Sequence, residues 1–396
     1  MTHPILQAAA VTWISLRTIP QRRGSSGAAV FGIAGVVAVL VGTLSIAQGF
    51  RQAMTAAVAP ENVVVLRGGV DSEMLSILGP EEVRVVEDTA GLARDARGAL
   101  ASAELYVVID LPKRSSGTDA NVPLRGVGPA AYGVRPEVQI TAGRRFEPGR
   151  SEIIAGRGAA AEFAGLDLGS RVKVGRNEWT VVGIFSAGGG LAESEIWTDA
   201  VVLQDAYERD QSYQAVYARL DSAGQFDAFK DALTSDPRLN VRVVRQADYY
   251  AEQAEAVDRL VTVLGTLVAA LMGMGALFGA LNTMYTSVSA RRREIATLRA
   301  LGFGGGPVVA SVLLESLVLA LAGGAIGAGL ACGLLDGYRA STLNWQSFSQ
   351  VAFAFAVTPQ LLLEGVAYAA GIGLIGGAFP AIRAARLPVA VALRDL

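Results

Sequence analysis

The residues best suited to a functional task form a short basic segment, Arg291 to Arg299, with the sequence RRREIATLR. Arginines at the mouth of a membrane helix are held on the cytoplasmic side by the positive-inside rule. Ile295, Leu298 and Leu301 follow at intervals of three, so they can share one face of a helix. A short amphipathic helix tied at both ends to membrane helices would suit transmission of force from a soluble partner.

A second chemically unusual residue is Glu315, the only charged residue between positions 300 and 335. A carboxylate is costly inside a membrane, so we expect Glu315 to be paired or to lie near the interface. The other charged residues within the predicted spans, Arg259 and Glu364, lie at the outer ends of spans 2 and 4, so no charged residue is expected near Glu315 in the spans to which a proton could be relayed. A structural partner for Glu315 is therefore favoured over a role in proton transfer.

Few residues of the types that usually act in catalysis or metal binding are present. The chain has one histidine, His3, and one cysteine, Cys332, which we interpret as a packing residue. No G-x-x-x-x-G-K-[ST] motif occurs, so the sequence predicts no ATP binding by a P-loop. The acidic pairs at positions 81–82 and 193–195 are expected to be solvated surface residues. Glycines 188–190 are expected to form a plain turn. The net charge of −2 gives no indication of nucleic-acid binding.

The elements that position these residues are membrane spans. A chain that is 52% hydrophobic and 18% charged is too apolar for an ordinary soluble protein, and too polar to lie wholly in a membrane. Runs of about 20 apolar residues mark four spans, and the arginines beside them place both termini inside. The predicted order is a cytoplasmic amphipathic segment (1–27), span 1 (28–50), an extracytoplasmic domain (51–258), span 2 (259–290), a cytoplasmic turn (291–306), span 3 (307–335), a short outer loop (336–358), span 4 (359–380) and a cytoplasmic tail (381–396).

Two further patterns concern helix packing. Helical character from Gln246 onwards runs directly into span 2, which predicts one long helix rising from the outer domain into the membrane. Small residues four apart allow helices to approach closely in lipid. This spacing is clearest in span 4, at Gly365, Ala369, Gly373 and Gly377, which we interpret as a helix-packing or dimer face.

The polar middle has the pattern of a mixed α/β domain with two subdomains. Predicted elements are strands at 62–67, 105–111, 213–220 and 240–244, helices at 80–88 and 224–233, and a hairpin at 172–182. The stretch from 213 to 244 has a β-α-β order.

The ordered motif around the basic segment resembles the permease subunits of MacB/FtsX/LolC-type ABC transporters. It is carried by Arg291, Arg292, Arg293, Glu294, Ile295, Leu298, Arg299, Ala300, Leu301, Gly302, Glu315 and Ser316. The ending PAIRAARLPV is similar to the C-terminal signature of that family. Segments from Arg125 to Phe185 resemble its periplasmic core domain, and the residues that follow resemble its second, ferredoxin-like subdomain.

The resemblance implies that the basic turn is the coupling helix, which docks on an ATPase made as a separate chain that binds ATP and Mg. It further implies a dimer with a second copy or a paralogue in the bacterial inner membrane, in contact with lipid. A periplasmic adaptor and an outer-membrane duct are further candidate partners. Expected substrates are lipids, lipoproteins, peptides or drug-like molecules, moved by mechanotransmission. The alternative is an FtsX-like subunit that signals to a cell-envelope partner without transport. A membrane-bound enzyme is disfavoured because catalytic residue patterns are missing.

Overall fold

The structure is a computed structural model, which describes residues 7, 11–13, 15, 17, 23–56, 58–174, 177–344 and 349–386. Most of the predicted amphipathic segment (1–27) and positions 387–396 of the predicted tail lie outside the described residues. The chain divides into two compact units. The membrane unit comprises residues 1–48, 259–338 and 355–396, and the outer domain comprises residues 49–258 and 339–354.

Among the described residues, ten α-helices and fourteen strands have assigned bounds. The helices are α1 (Arg23–Thr55), α2 (Pro80–Asp88), α3 (Ala131–Val134), α4 (Arg157–Glu162), α5 (Ala200–Ala206), α6 (Phe226–Ser235), α7 (Gln246–Ala290), α8 (Arg292–Ala300), α9 (Gly305–Leu335) and α10 (Pro359–Ala385). The strands are β1 (Asn62–Arg67), β2 (Arg94–Asp95), β3 (Gly98–Ala99), β4 (Ala101–Pro112), β5 (Asp119–Val127), β6 (Gln139–Gly143), β7 (Glu152–Gly156), β8 (Arg171–Val174), β9 (Asn177–Ser186), β10 (Ile196–Asp199), β11 (Ala215–Arg219), β12 (Val241–Arg245), β13 (Arg339–Asn344) and β14 (Ser349–Ala354).

Four of these helices, α1, α7, α9 and α10, are long and apolar enough to cross a membrane, within the part of the chain that is described. The shortest, α10, has 27 residues, which at about 1.5 Å per residue gives about 40 Å. The long helix predicted from Gln246 is present as α7, with 45 residues. Helix α10 differs from the prediction, because it continues through Pro380 to Ala385 instead of ending at the proline.

The core of the membrane unit lies among α1, α9 and α10. It includes Val37, Ala320, Ala369 and Ile372, all buried. Small residues allow the close approach: a Cβ added at Gly327 would overlap the backbone of α1. Helix α7 is different, since it exposes many large apolar side chains along its spanning part.

The outer domain is built on a ten-stranded sheet with the order β12-β1-β11-β4-β5-β10-β7-β9-β6, and β8 pairs with β9. The pairs β5–β10 and β7–β9 are parallel, and the other pairs along this path are antiparallel. The structure confirms the predicted strands, the helices at 80–88 and 224–233, and the β8–β9 hairpin.

Two lobes of the outer domain share the long strand β4. The first lobe packs Leu105, Ile153 and Trp179 beneath α4 and α5. The second lobe packs Val63 and Phe229 between its strands and helices α2 and α6. Its β11-α6-β12 unit is split, because β1 lies between the two strands and pairs antiparallel with both. The prediction that this subdomain follows Phe185 is therefore incomplete, since β1 and α2 come from the start of the domain.

The predicted short outer loop contains a hairpin, β13–β14, that belongs to the outer domain. Lys113 Nζ lies 3.0 Å from Gln350 Oε1 and 2.9 Å from Glu162 Oε1, and the same oxygen of Glu162 accepts a hydrogen bond from Ser341. The backbone N–H of Ala352 donates to Ser194 Oγ at 3.0 Å. These polar contacts fix both strands of the hairpin to the domain surface.

Candidate functional site

Helix α8 occupies the predicted coupling segment, and Arg291 lies directly before its first residue. Arg291 is buried rather than exposed. Its guanidinium contacts Glu315 (Nη1 to Oε2, 3.4 Å) and Glu294 (Nε to Oε2, 2.9 Å), and it donates to Ser15 Oγ. This arginine therefore points into the membrane unit, and its assignment to the ATPase-coupling residues stays a prediction.

Glu315 has the structural partner that the sequence favoured. Its carboxylate is 1% exposed, pairs with Arg291, and accepts a hydrogen bond from Ser287 Oγ at 3.0 Å. Ser287 belongs to α7 and Glu315 to α9. The pair therefore ties the start of α8 to both helices that flank it. A buried carboxylate needs such partners because desolvation of an unpaired charge is costly.

The apolar side of α8 is shorter than predicted. Ile295 is buried in a cluster with Val288, Val308 and Ala381, and Leu298 is half-buried. Leu301 does not share this face, because the helix ends at Ala300 and the Leu301 side chain is 73% exposed. The prediction from three-residue spacing is wrong for Leu301, because that spacing places residues on one face only within a helix, and the helix stops before Leu301.

The C-terminal end of α8 turns at Gly302, whose φ of +92° favours glycine. Its backbone N–H donates to the carbonyl of Arg299, and the Arg299 side chain in turn donates to the carbonyl of Ala385 at 2.6 Å. Arg299 thus fixes the end of α8 to the end of α10 in the same unit. The conformation of Gly302 then presents Leu301 to solvent.

The exposed residues of the segment form what we call the docking face. Its members are exposed to solvent, either in the first turn of α8 or at the turn that follows the helix. They are Arg292, Arg293, Glu294, Leu301 and Gly302. Two exposed arginines and one exposed leucine in the same segment can bind an acidic surface that also offers an apolar pocket.

The small-residue stripe of α10 is used inside the chain. Ala369 is fully buried, a Cβ at Gly365 would approach Val41 of α1, and a Cβ at Gly373 would overlap Ala320 of α9. A Cβ at Gly377 would overlap Ser316. The interpretation of these residues as a helix-packing face agrees with the structure, but the stripe is covered and cannot be a dimer face.

A buried cluster of charges in the outer domain was missed by the sequence analysis. Arg125 lies at its centre, with Nη1 2.7 Å from Glu73, Nη2 2.8 Å from Glu195, and Nη1 3.1 Å from Glu104. Arg135 also pairs with Glu104, at 2.8 Å. Each of these side chains is almost completely buried. The available signal was a charged residue flanked by apolar residues or glycine within a strand, as at Glu104 in β4 and Arg125 in β5.

Two of the acids expected on the surface are in fact buried. Glu195 accepts a hydrogen bond from the indole N–H of Trp197 at 2.7 Å. Burial raises its pKa, but Arg125 and Arg135 outweigh that effect, so the pKa of Glu195 lies below its ordinary value. Glu193 accepts the N–H groups of Ala187 and Gly189, which organises the glycine loop. Neither acid is solvated, because each has a buried or backbone donor that sequence spacing does not reveal.

The charge cluster joins three parts of the outer domain. Glu104 and Arg125 come from the first lobe's strands, and Tyr217 of the second lobe donates to Glu73 at 2.8 Å. Tyr249, in the first turn of α7, accepts the backbone N–H of Glu73. The guanidinium groups lie between the carboxylates, so the arrangement cross-links protein segments. It therefore fixes the outer end of α7 to both lobes.

Comparisons with known proteins identify both units. Residues 26–236 match the family described as the MacB-like periplasmic core domain, and residues 266–389 match the FtsX-like permease C-terminal family. The macrolide export ATP-binding/permease protein MacB of Bdellovibrio bacteriovorus is 24% identical, over 96% of this chain and 60% of that protein. MacB 1/2 of Paracoccus denitrificans is 25% identical over 92% of this chain and 55% of its own length.

A third relative is the ABC transporter permease YknZ of Bacillus subtilis, which is 31% identical over 36% of this chain and 34% of its own length. The chain therefore spans at most about 60% of the length of these relatives. The core-domain match alone covers more than half of the chain, and the second match covers most of the remainder. With its four membrane helices and its extracytoplasmic α/β domain, the chain belongs to the MacB/FtsX-type ABC transporter permeases.

Proposed function

We propose that this chain is the permease component of an ABC transporter, and that it couples ATP hydrolysis by an ATPase to movement of its outer domain. The observation that carries this proposal is the arrangement of α8. The helix is held from inside through Arg291 and Ile295, while Arg292, Arg293 and Leu301 remain exposed. A partner that pushes on the exposed side meets a helix that cannot rotate independently of α7 and α9.

Transmission to the outer domain is assigned to α7. This helix runs without interruption from Gln246 to Ala290, a length of about 67 Å at about 1.5 Å per residue. Its outer end is fixed by Tyr249 to the buried charge cluster, and Ser287 near its inner end donates to Glu315. A continuous helix with side-chain contacts near each end supports the proposed transmission of displacement along its axis.

We further propose that the chain dimerises through α7. This helix exposes Leu267, Leu271, Met274 and Phe278, whereas the glycine stripe of α10 is already covered. A second permease copy or a paralogue would bury part of this apolar face, and lipid would cover the rest. The membrane concerned is the bacterial inner membrane, with α8 on the cytoplasmic side.

The resemblance to the permease family and the proposed outer position of the domain support a substrate class. We propose an amphipathic substrate, a lipid, lipoprotein, peptide or drug-like molecule, handled on the outer side and moved by mechanotransmission. A periplasmic adaptor and an outer-membrane duct would extend the path of the substrate beyond the outer domain. ATP and Mg would be bound by the ATPase.

The proposal is tested by purifying the tagged chain from its own membranes in mild detergent and identifying co-purifying proteins by mass spectrometry. We expect an ATPase with a Walker lysine. Reversing the docking face with Arg292→Glu and Arg293→Glu should remove it, while Arg291 is left intact. Arg383→Glu is the matched control, because Arg383 is also an exposed arginine, in the last turn of α10.

Retention of the ATPase by the doubly reversed variant, with equal stimulation of ATP hydrolysis, would refute the assignment of the docking face. Loss of the ATPase from the Arg383→Glu control as well would show a general charge effect instead. If an ATPase and a cell-envelope enzyme co-purify with the chain, and the reconstituted complex transports nothing, the signalling alternative would be favoured over transport.

A further inference from the structure

A small cavity lies between the hairpin β13–β14 and the first lobe, within the outer domain. Its volume is about 140 Å³, and its lining includes Arg157, Arg339, Glu193, Gly189 and Phe353. A water molecule occupies about 30 Å³ of liquid, so the space would hold a polar headgroup but not an acyl chain. The hairpin contacts of Lys113 and Ser194 described above hold this wall in place.

The side chains that line the cavity carry more positive than negative charge. Arg157 pairs with Glu193 at 3.1 Å, and that carboxylate already accepts two backbone N–H groups at 2.9 Å each. Arg339 is exposed, and its side chain has no ion-pair or hydrogen-bond partner among the described residues. Two guanidinium groups therefore face one carboxylate whose oxygens are largely satisfied. An anion is the ligand that such a site attracts.

The position of Arg339 along the chain points to the membrane surface. It forms the base rung of the hairpin, opposite Ala354. Arg339 lies four positions after Leu335, the end of the spanning helix α9, and four steps of the chain reach at most about 14 Å. Helix α9 has 31 residues, about 46 Å, which matches a bilayer with its headgroups. The cavity opening is thus close in sequence to the outer headgroup layer.

We propose that this cavity binds a phosphate group, supplied by the headgroup of an anionic membrane lipid. The guanidinium groups of Arg157 and Arg339 bind the phosphate oxygens, and Ala352, Phe353 and Ala354 form the apolar wall beside the glycerol portion. Binding at this place would hold the base of the hairpin at the membrane surface. This inference is independent of the proposed ATPase coupling, because it concerns binding to the chain alone.

The test is native mass spectrometry of the full chain in detergent, titrated with phosphatidylglycerol or with zwitterionic phosphatidylcholine. We expect preferential binding of phosphatidylglycerol, weakened about tenfold by Arg339→Ala, which removes a charge-assisted interaction. Arg339→Lys should lose less affinity for phosphatidylglycerol than Arg339→Ala. The matched control is Arg84→Ala, which removes an exposed arginine from α2 in the other lobe.

A second titration uses inorganic phosphate to separate the two sources of the group. If phosphate displaces phosphatidylglycerol from the wild-type chain, the shared phosphate chemistry is supported with the lipid as ligand. If phosphate binds in an Arg339-dependent manner and the lipid does not, the site is supported with a free anion as ligand. Equal binding of both lipids, or equal affinity in the Arg339→Ala and Arg84→Ala variants, would overturn the proposal.

Discussion

The pairing of Arg291 with Glu315 predicts a large loss of stability when the carboxylate is neutralised. Glu315→Gln keeps the size of the side chain and can still bond to Ser287, so it removes mainly the negative charge. Both partners are buried, with side-chain exposures of 9% for Arg291 and 1% for Glu315. Removing one member of a buried pair leaves the other charge uncompensated, which costs about 3–5 kcal/mol.

The lower end of that range applies here. The Nη1–Oε2 distance of 3.4 Å is not short, and Arg291 keeps its contacts with Ser15 and Glu294. We therefore expect Glu315→Gln to lower the free energy of unfolding by about 3 kcal/mol. Glu294→Gln is an internal control, because it neutralises the other carboxylate bound to the same guanidinium. The Glu294 side chain is 54% exposed, and exposed pairs are worth at most about 1 kcal/mol.

The assay is reversible unfolding of the detergent-solubilised chain, with a double-mutant cycle that combines Glu315→Gln and Arg291→Gln. The cycle should give a coupling energy well above that of the cycle with Glu294→Gln. A Glu315→Gln variant no less stable than Glu294→Gln would refute the view that the buried carboxylate anchors α8. So would a coupling energy near zero.

Four further predictions concern other parts of the fold. Arg125→Leu leaves three carboxylates buried around an apolar side chain and should destabilise the outer domain by about 3–5 kcal/mol in unfolding experiments. Since the pKa of Glu195 is lowered in the folded state, its contribution to stability is present above its ordinary value of 4.5 and is lost as pH falls through the lower folded-state pKa. Glu195→Gln lacks this contribution at every pH, so its acid unfolding should begin at a higher pH and its stability should depend less steeply on pH than that of the wild type. In α10, Gly373→Val should cost about 1–3 kcal/mol through overpacking, whereas Gly371→Ala, which has open space, should be tolerated in the same thermal assay. A cysteine at position 271, in a chain without its native cysteine, should form a disulfide across a dimer interface at α7, and failure to cross-link in membranes would contradict that interface.

The sequence was informative where local pattern and composition determine structure. Four long apolar runs need helices, because only a helix satisfies its own backbone hydrogen bonds in lipid. The strand at 62–67 and the helix at 80–88 are present with the bounds predicted, since β-branched runs and an N-terminal proline are local signals. The basic segment before Gly302 was also identified from sequence, and so was its resemblance to a permease family.

The sequence failed where the decisive partner is distant along the chain. Arg291 and Arg292 are adjacent arginines, yet the first faces Glu315 and the second faces solvent. Glu195 and Arg125 are separated by 70 residues and share one buried site. In each case the direction of the side chain, rather than its type, decides whether its charge is solvated or paired.

The sequence alone determined that this is a membrane protein with four spans, an α/β domain after the first span and a basic turn after the second. Those features depend on hydrophobic length, periodicity and charge, which are properties of neighbouring residues. Only the tertiary structure decided that α8 is anchored by Arg291, that the glycine stripe of α10 is covered within the chain, and that residues 339–354 join the outer domain. These features depend on contacts between distant segments, whose energies are set by burial and by the distance between charges.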